Sequence, residues 1–283
     1  MNRTIHRLLL FFITVTVTVP SLVNGQTPKG KEQEITEADT FMQREDYAGA
    51  LAIYNKLLEK SKFSSDEDFT LLYKRAYAFY GAGKFNEALV DINRFLAKTP
   101  DPQAKLLRAY INQELGDSEA QLKDLNEFIG TTPDNLELIR WRASVLMTME
   151  KYADARRDIR KILAQDPNPD IQGYLGLSYY YDNQPDSALT IFDEAISSNP
   201  ANAQSYIYAA SLALEEETYE MALQYINKGL TAEPANTTLM FYKGIALVQD
   251  EKTEDGCRCL SKAFNAGVDD AGEYLKSFCY GVE

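Results

Sequence analysis

Five prolines, Pro100, Pro133, Pro167, Pro200 and Pro234, recur along the chain at intervals of 33, 34, 33 and 34 residues. A fixed period of that length means a stack of like supersecondary units, none of which can bury its apolar face alone. Small residues keep the same beat. One column runs Ala38, Ala76, Ala109, Ala143, Gly176, Ala210 and Gly244, and a second, twelve residues later, runs Ala50, Ala88, Gln121, Ala155, Ala188, Ala222 and Gly256. Helices approach closely only where the facing side chains are small, so both columns predict helix crossings. Gln121 is the one large member.

With the small residues placed at positions 8 and 20, units begin at 31, 69, 102, 136, 169, 203 and 237. Position 17 is aromatic in four of them: Tyr47, Phe85, Tyr152 and Tyr219. Position 24 is large and apolar throughout: Tyr54, Ile92, Leu125, Ile159, Phe192, Ile226 and Leu260. Proline at position 32 closes the second helix, because it lacks the N–H and restricts the residue before it. This pattern resembles the tetratricopeptide repeat, a helix–turn–helix unit of about 34 residues. The resemblance implies an all-α, right-handed superhelical solenoid of about seven helix pairs over 34–268, closed by a capping helix over 269–283. Two departures mark the outer units: Lys62 and Val268 stand where proline is expected. The stretch Phe63-Ser64-Ser65-Asp66 lengthens the first connection, predicting either an extended helix or a bulged loop.

The N-terminus is of another kind. Arg3, His6 and Arg7 precede an apolar run from Leu8 to Val19, then Pro20 and a small-residue exit at Val23-Asn24-Gly25. That order reads as a signal peptide over 1–25, followed by a polar leader over 26–33. The run is short for a membrane span, which needs about 20 apolar residues; an uncleaved anchor is the alternative. The expected mature chain is a soluble periplasmic or secreted protein, without membrane insertion once the signal is cleaved.

Charge and chemistry narrow the function. The formal net charge of −13 repels phosphate backbones, so nucleic acid is excluded as a partner and neutral or basic partners are favoured. The single histidine, His6, leaves with the signal, which removes Ser–His and Cys–His catalysis and His-ligated zinc. No Gly-rich phosphate loop is present. No cofactor, metal or catalytic residue is expected. The three cysteines, Cys257, Cys259 and Cys279, gather at the C-terminal end. An exported chain meets an oxidising compartment, and either Cys257 or Cys259 could pair with Cys279, since the first two point in different directions on a helix. The alternative is that all three are small buried apolar side chains.

Comparing the units with one another gives a finer expectation. Position 7 is Arg75, Arg108 and Arg142 in units two to four, and position 23 in the same units is Asp91, Asp124 and Asp158. Both become apolar together in unit five, as Leu175 and Ile191. Linked change predicts contact, hence a ladder of partly buried structural ion pairs.

The resemblance also implies a binding face, because helix A positions 2, 5, 9, 12 and 13 line the concave groove in proteins of this kind. Those positions supply Tyr73, Tyr77, Tyr80, Tyr110, Arg140, Leu177, Tyr180, Tyr181 and Phe241. Tyrosine offers an apolar face with a polar tip at low entropic cost, which suits a surface that holds a peptide or protein segment. The same rings could instead fill helix junctions, or stack on a glycan or small ligand. A non-enzymatic protein-interaction scaffold is the leading expectation, and the Lys and Asn of a carboxylate clamp are missing from positions 5 and 9.

Overall fold

The computed structural model describes residues 29–59, 61–63 and 65–279; the signal-peptide expectation and the first residues of the leader lie outside these. All regular structure among the described residues is helical. The chain divides into two compact units, Met1–Val145 and Leu146–Glu283.

The first unit holds α1 (Lys29–Gln43), α2 (Tyr47–Glu59), α3 (Asp66–Gly81), α4 (Phe85–Leu96), α5 (Pro102–Leu115), α6 (Ser118–Thr131) and most of α7 (Leu136–Thr148). The second holds α8 (Tyr152–Leu163), α9 (Pro169–Tyr181), α10 (Pro185–Ser198), α11 (Ala203–Glu215), α12 (Tyr219–Ala232), α13 (Thr237–Gln249), α14 (Thr253–Asn265) and α15 (Asp270–Tyr274). The pairs α1–α2, α3–α4, α5–α6, α9–α10, α11–α12 and α13–α14 pack as helical hairpins. The even-numbered helices α4, α6, α8, α10 and α12 stop two to four residues before the periodic prolines.

The small columns are where the helices touch. Ala38, Ala50, Ala76, Ala88, Ala109, Ala188, Ala210 and Ala222 are fully buried. Gly176 shows why the column tolerates nothing larger: a Cβ there would sit 2.3 Å from the ring of Phe192, the bulkiest apolar residue at position 24 after Tyr54. Gly256 is confined by backbone as well, with a Cβ landing 2.9 Å from the carbonyl oxygen of Gly244 in the other column.

The turns between paired helices share one conformation. Position 15 lies in the left-handed region in every hairpin, at Glu45, Gly83, Gly116, Glu150, Asn183, Glu217 and Glu251. Helix starts are capped by local side chains. Ser65 and Asp68 form a reciprocal capping box, and Asp101, Asn168, Asn202 and Asn236 each accept from a first-turn N–H.

Two boundaries differ from expectation, at α1 and at the C-terminal cap, and the first connection takes the loop alternative. α1 begins at Lys29, inside the expected leader. The first connection is a loop in which Phe63 takes a positive φ of 51° and lies 3.6 Å beneath the Arg94 guanidinium. The C-terminal cap is not one α-helix: α15 passes into a π-helical turn over Leu275–Cys279. A disulfide joins Cys257 of α14 to Cys279, with Cα atoms 5.7 Å apart, while Cys259 is a free thiol.

Candidate functional site

The expected ion pairs are brought together in the first unit. Arg75 grips Asp91 through Nε (2.6 Å) and Nη2 (2.9 Å), and Arg108 grips Asp124 likewise at 2.7 and 2.8 Å. The carboxylates are 3% and 1% exposed. The remaining guanidinium nitrogen reaches back to the preceding hairpin: Arg75 Nη1 to Asn55 Oδ1 (3.0 Å), Arg108 Nη1 to Asn93 Oδ1 (2.8 Å) and Arg142 Nη1 to Asn126 Oδ1 (2.9 Å). These asparagines share position 25, a column that escaped the sequence reading. Arg75 and Arg108 are thus fixed both within their hairpins and to the hairpin before, which is a structural role.

Of the expected groove residues, two are core. Tyr73 is only 4% exposed, its ring 5.3 Å from Phe95, and Phe241 is 8% exposed with Tyr274 edge-on at 5.5 Å. Position 5 therefore points into the hairpin packing here, as buried Leu106 and Gly173 also show. This removes Tyr73 and Phe241 from any binding surface. Burial pushes the Tyr73 hydroxyl up to about 12, with no hydrogen-bond partner among the described residues. Arg140, also at position 5, is half-buried.

Positions 9 and 12 behave differently. Tyr77, Tyr80 and Tyr110 are half-buried, each keeping part of its surface in solvent. In the first unit Tyr80 and Tyr110 belong to a continuous run of rings: Phe85 to Tyr80 at 5.8 Å, Tyr80 to Tyr110 at 6.4 Å, and Tyr110 stacked on Trp141 at 4.4 Å. Tyr47 closes the other side by lying across Gly81, where a Cβ would come within 2.3 Å of its ring. The Tyr80 hydroxyl is raised by burial first and then by the Glu114 carboxylate beside it.

A polar tie sits under this run. The Trp141 indole N–H donates to Oε1 of Gln113 at 2.7 Å, and the buried Gln121 amide donates to the same oxygen at 3.3 Å. The departure of Gln121 from the small column is thereby accounted for. Gln113, at position 12, and its neighbour Glu114 are solvent-exposed. An aromatic column at position 6, Trp141, Tyr174, Tyr208 and Tyr242, was the overlooked signal.

The second unit carries its own aromatic surface. Leu177, Tyr180 and Tyr181 are half-buried, with Tyr181 5.5 Å from Tyr180 and stacked at 6.0 Å on Tyr152. Burial raises the hydroxyl of Tyr152, assisted by Glu150 and Asp182. Buried Arg156 holds the end of α9, donating to the Ser178 carbonyl (2.9 Å) and to Asp182 (2.6 Å) while covering the Tyr179 ring at 4.6 Å. No described helix is long and apolar enough to cross a membrane.

Comparison with known proteins places these observations. A tetratricopeptide repeat profile matches residues 35–88, 73–135 and 174–237, more than half of the chain. A sequence search of curated proteins gives no match. Among solved structures, a tetratricopeptide repeat protein from Parabacteroides merdae is similar at 21% identity and a TM-score of 0.55, covering 88% of this chain and 98% of that one. The C-terminal part of a repeat-containing protein from Cytophaga hutchinsonii is similar at 17% identity and a TM-score of 0.62, covering 85% and 99%. At such identities the likeness speaks to the fold alone.

Proposed function

This chain belongs to the tetratricopeptide repeat family, and on that premise we propose that it is a non-enzymatic interaction scaffold of the cell envelope. It holds a peptide or protein segment against the half-buried helix-A tyrosines. Repeat folds work by presenting extended surfaces to partners, and chemistry has to be argued from a site. The observation that carries the reading is the ring run Phe85–Tyr80–Tyr110–Trp141, whose members at positions 9 and 12 stay partly in solvent. Rings held in place on rigid helices lose little entropy when a partner covers them.

Export is supported by two features. Arg3 and Arg7 precede an apolar run and a small-residue exit, the order of a secretory signal. The Cys257–Cys279 disulfide suits an oxidising compartment. Affinity capture from envelope extract, using the wild-type chain and the Tyr77→Ala and Tyr180→Ala variants, tests the scaffold. A defined protein recovered by the wild type and lost by a folded variant is the expected result. Equal recovery by all three would move the partner off these tyrosines.

A further inference from the structure

We propose that the surface around Gln113 selects a cationic extended segment, with the Gln113 amide reading the segment's backbone and Tyr80, Tyr110 and Glu114 taking an Arg or Lys side chain. This rests on the interaction-scaffold reading and names the partner's chemistry.

The orientation of Gln113 follows from its neighbours. An indole N–H can only donate, so the atom of Gln113 facing Trp141 must be its oxygen. Gln121 donates to that same oxygen from the other side. Both lone pairs of Oε1 are then engaged, which leaves the two N–H donors of this exposed residue's amide nitrogen for another acceptor. A main-chain carbonyl of an extended segment is the simplest acceptor for such a fixed donor pair, and fixing it beforehand lowers the ordering cost of binding. Gln121 breaks a column of small residues to make this tie, which marks the arrangement as more than packing.

The charge follows from the rim. Glu114, next in sequence, is exposed, makes no ion pair or side-chain hydrogen bond among the described residues, and lies close enough to Tyr80 to raise its hydroxyl. Glu45 plays the same part beside Tyr77 and Tyr47. Across the ends of α1, α3 and α5 and their turns stand four carboxylates, Glu45, Asp46, Glu114 and Asp117, against two cations, Arg44 and Lys84. A guanidinium or ammonium seated on the Tyr80–Tyr110 faces would gain cation–π attraction and the Glu114 charge together. A carboxylate there would meet net repulsion from the four carboxylates against two cations.

Trp141 is the sole tryptophan and is bonded to Gln113, so its emission reports this surface directly. The test titrates the full chain with two probes, an acetylated, amidated heptapeptide alternating Ala with Arg and its Ala/Glu counterpart. The Arg peptide should shift the emission and bind at least about tenfold more tightly, losing most of that margin in strong salt. Glu114→Gln should erase the preference between peptides. Gln113→Leu should weaken both alike, with a thermal melt confirming that it folds. Equal binding of the two peptides, or an unchanged preference in Glu114→Gln, overturns the assignment even if Gln113→Leu does not fold. A captured partner that docks on Tyr77 through an acidic segment would sink the charge assignment while leaving the scaffold intact.

Discussion

Arg108 and Asp124 meet as a two-pronged ion pair, Nε on Oδ2 at 2.7 Å and Nη2 on Oδ1 at 2.8 Å. The third nitrogen of the same guanidinium holds Asn93 of the hairpin before it. One side chain therefore joins two helices of its own hairpin to a third helix outside it. Arg75 repeats the arrangement with Asp91 and Asn55. Stacked repeats depend on their interfaces, so these arginines are placed where the stack would otherwise slip.

Removing the carboxylate should therefore hurt. Asp124→Asn leaves a guanidinium without its counter-charge and should lower stability by about 3 kcal/mol in a urea melt. The exposed pair of Lys98 with Asp66 is the control, and Asp66→Asn should change stability by about 0.5 kcal/mol or less. The fifth unit suggests a rescue, since Leu175 and Ile191 fill the same two positions there. Arg108→Leu with Asp124→Ile should recover most of the loss.

The hairpin turns store strain at glutamates. Glu45, Glu150, Glu217 and Glu251 hold φ between 57° and 60°, where a Cβ is crowded by the backbone. Gly83 and Gly116 occupy the equivalent place without that penalty. Changing any one of the four to Gly should stabilise the protein by about 0.5 kcal/mol, after allowing for glycine's greater freedom when unfolded. A loss of stability would show that these glutamates make a compensating contact.

The disulfide predicts a thiol count. In denaturant without reductant the protein should titrate one thiol, Cys259, and three after reduction. The bridge spans 22 residues, so Cys279→Ser should lower stability by roughly 3 kcal/mol. Cys259→Ser should leave it nearly unchanged.

Alkaline titration should separate buried from exposed tyrosines. Burial pushes the hydroxyls of Tyr73, Tyr110 and Tyr225 up from 10.0 to about 12, the last helped by its bond to Asp193. A raised folded value means that these groups favour the fold fully below pH 10.0 and lose that contribution as the pH rises through about 12. Absorbance near tyrosinate should show a late phase that collapses onto the early one in urea. A single phase near 10 in the folded protein would contradict their burial.

Much of this was legible because the chain compares itself with itself seven times. The columns at positions 8, 20 and 24 located the crossings, and the joint switch from Arg142 and Asp158 to Leu175 and Ile191 pointed to the ion pairs. The Asn55, Asn93 and Asn126 column carried equal information and was overlooked, since its partner lies in the next unit rather than the same one. Tyr73 and Phe241 were misassigned for a different reason. A groove map carried from resemblance fixes a position's direction only when local packing agrees, and here Phe95 and Tyr274 claim those rings. The Trp141–Gln113–Gln121 tie could not be read at all, because it joins α7, α5 and α6 through side-chain reach rather than through any period.

Oxidative footprinting of the protein alone and with its captured partner tests the central claim most directly. Half-buried Tyr77, Tyr80 and Tyr110 should lose labelling on binding, while exposed Val90 of α4 and Met221 of α12 should label as before. Protection of Val90 or Met221 with the tyrosines unchanged would put the partner on the helix-B side and contradict the account.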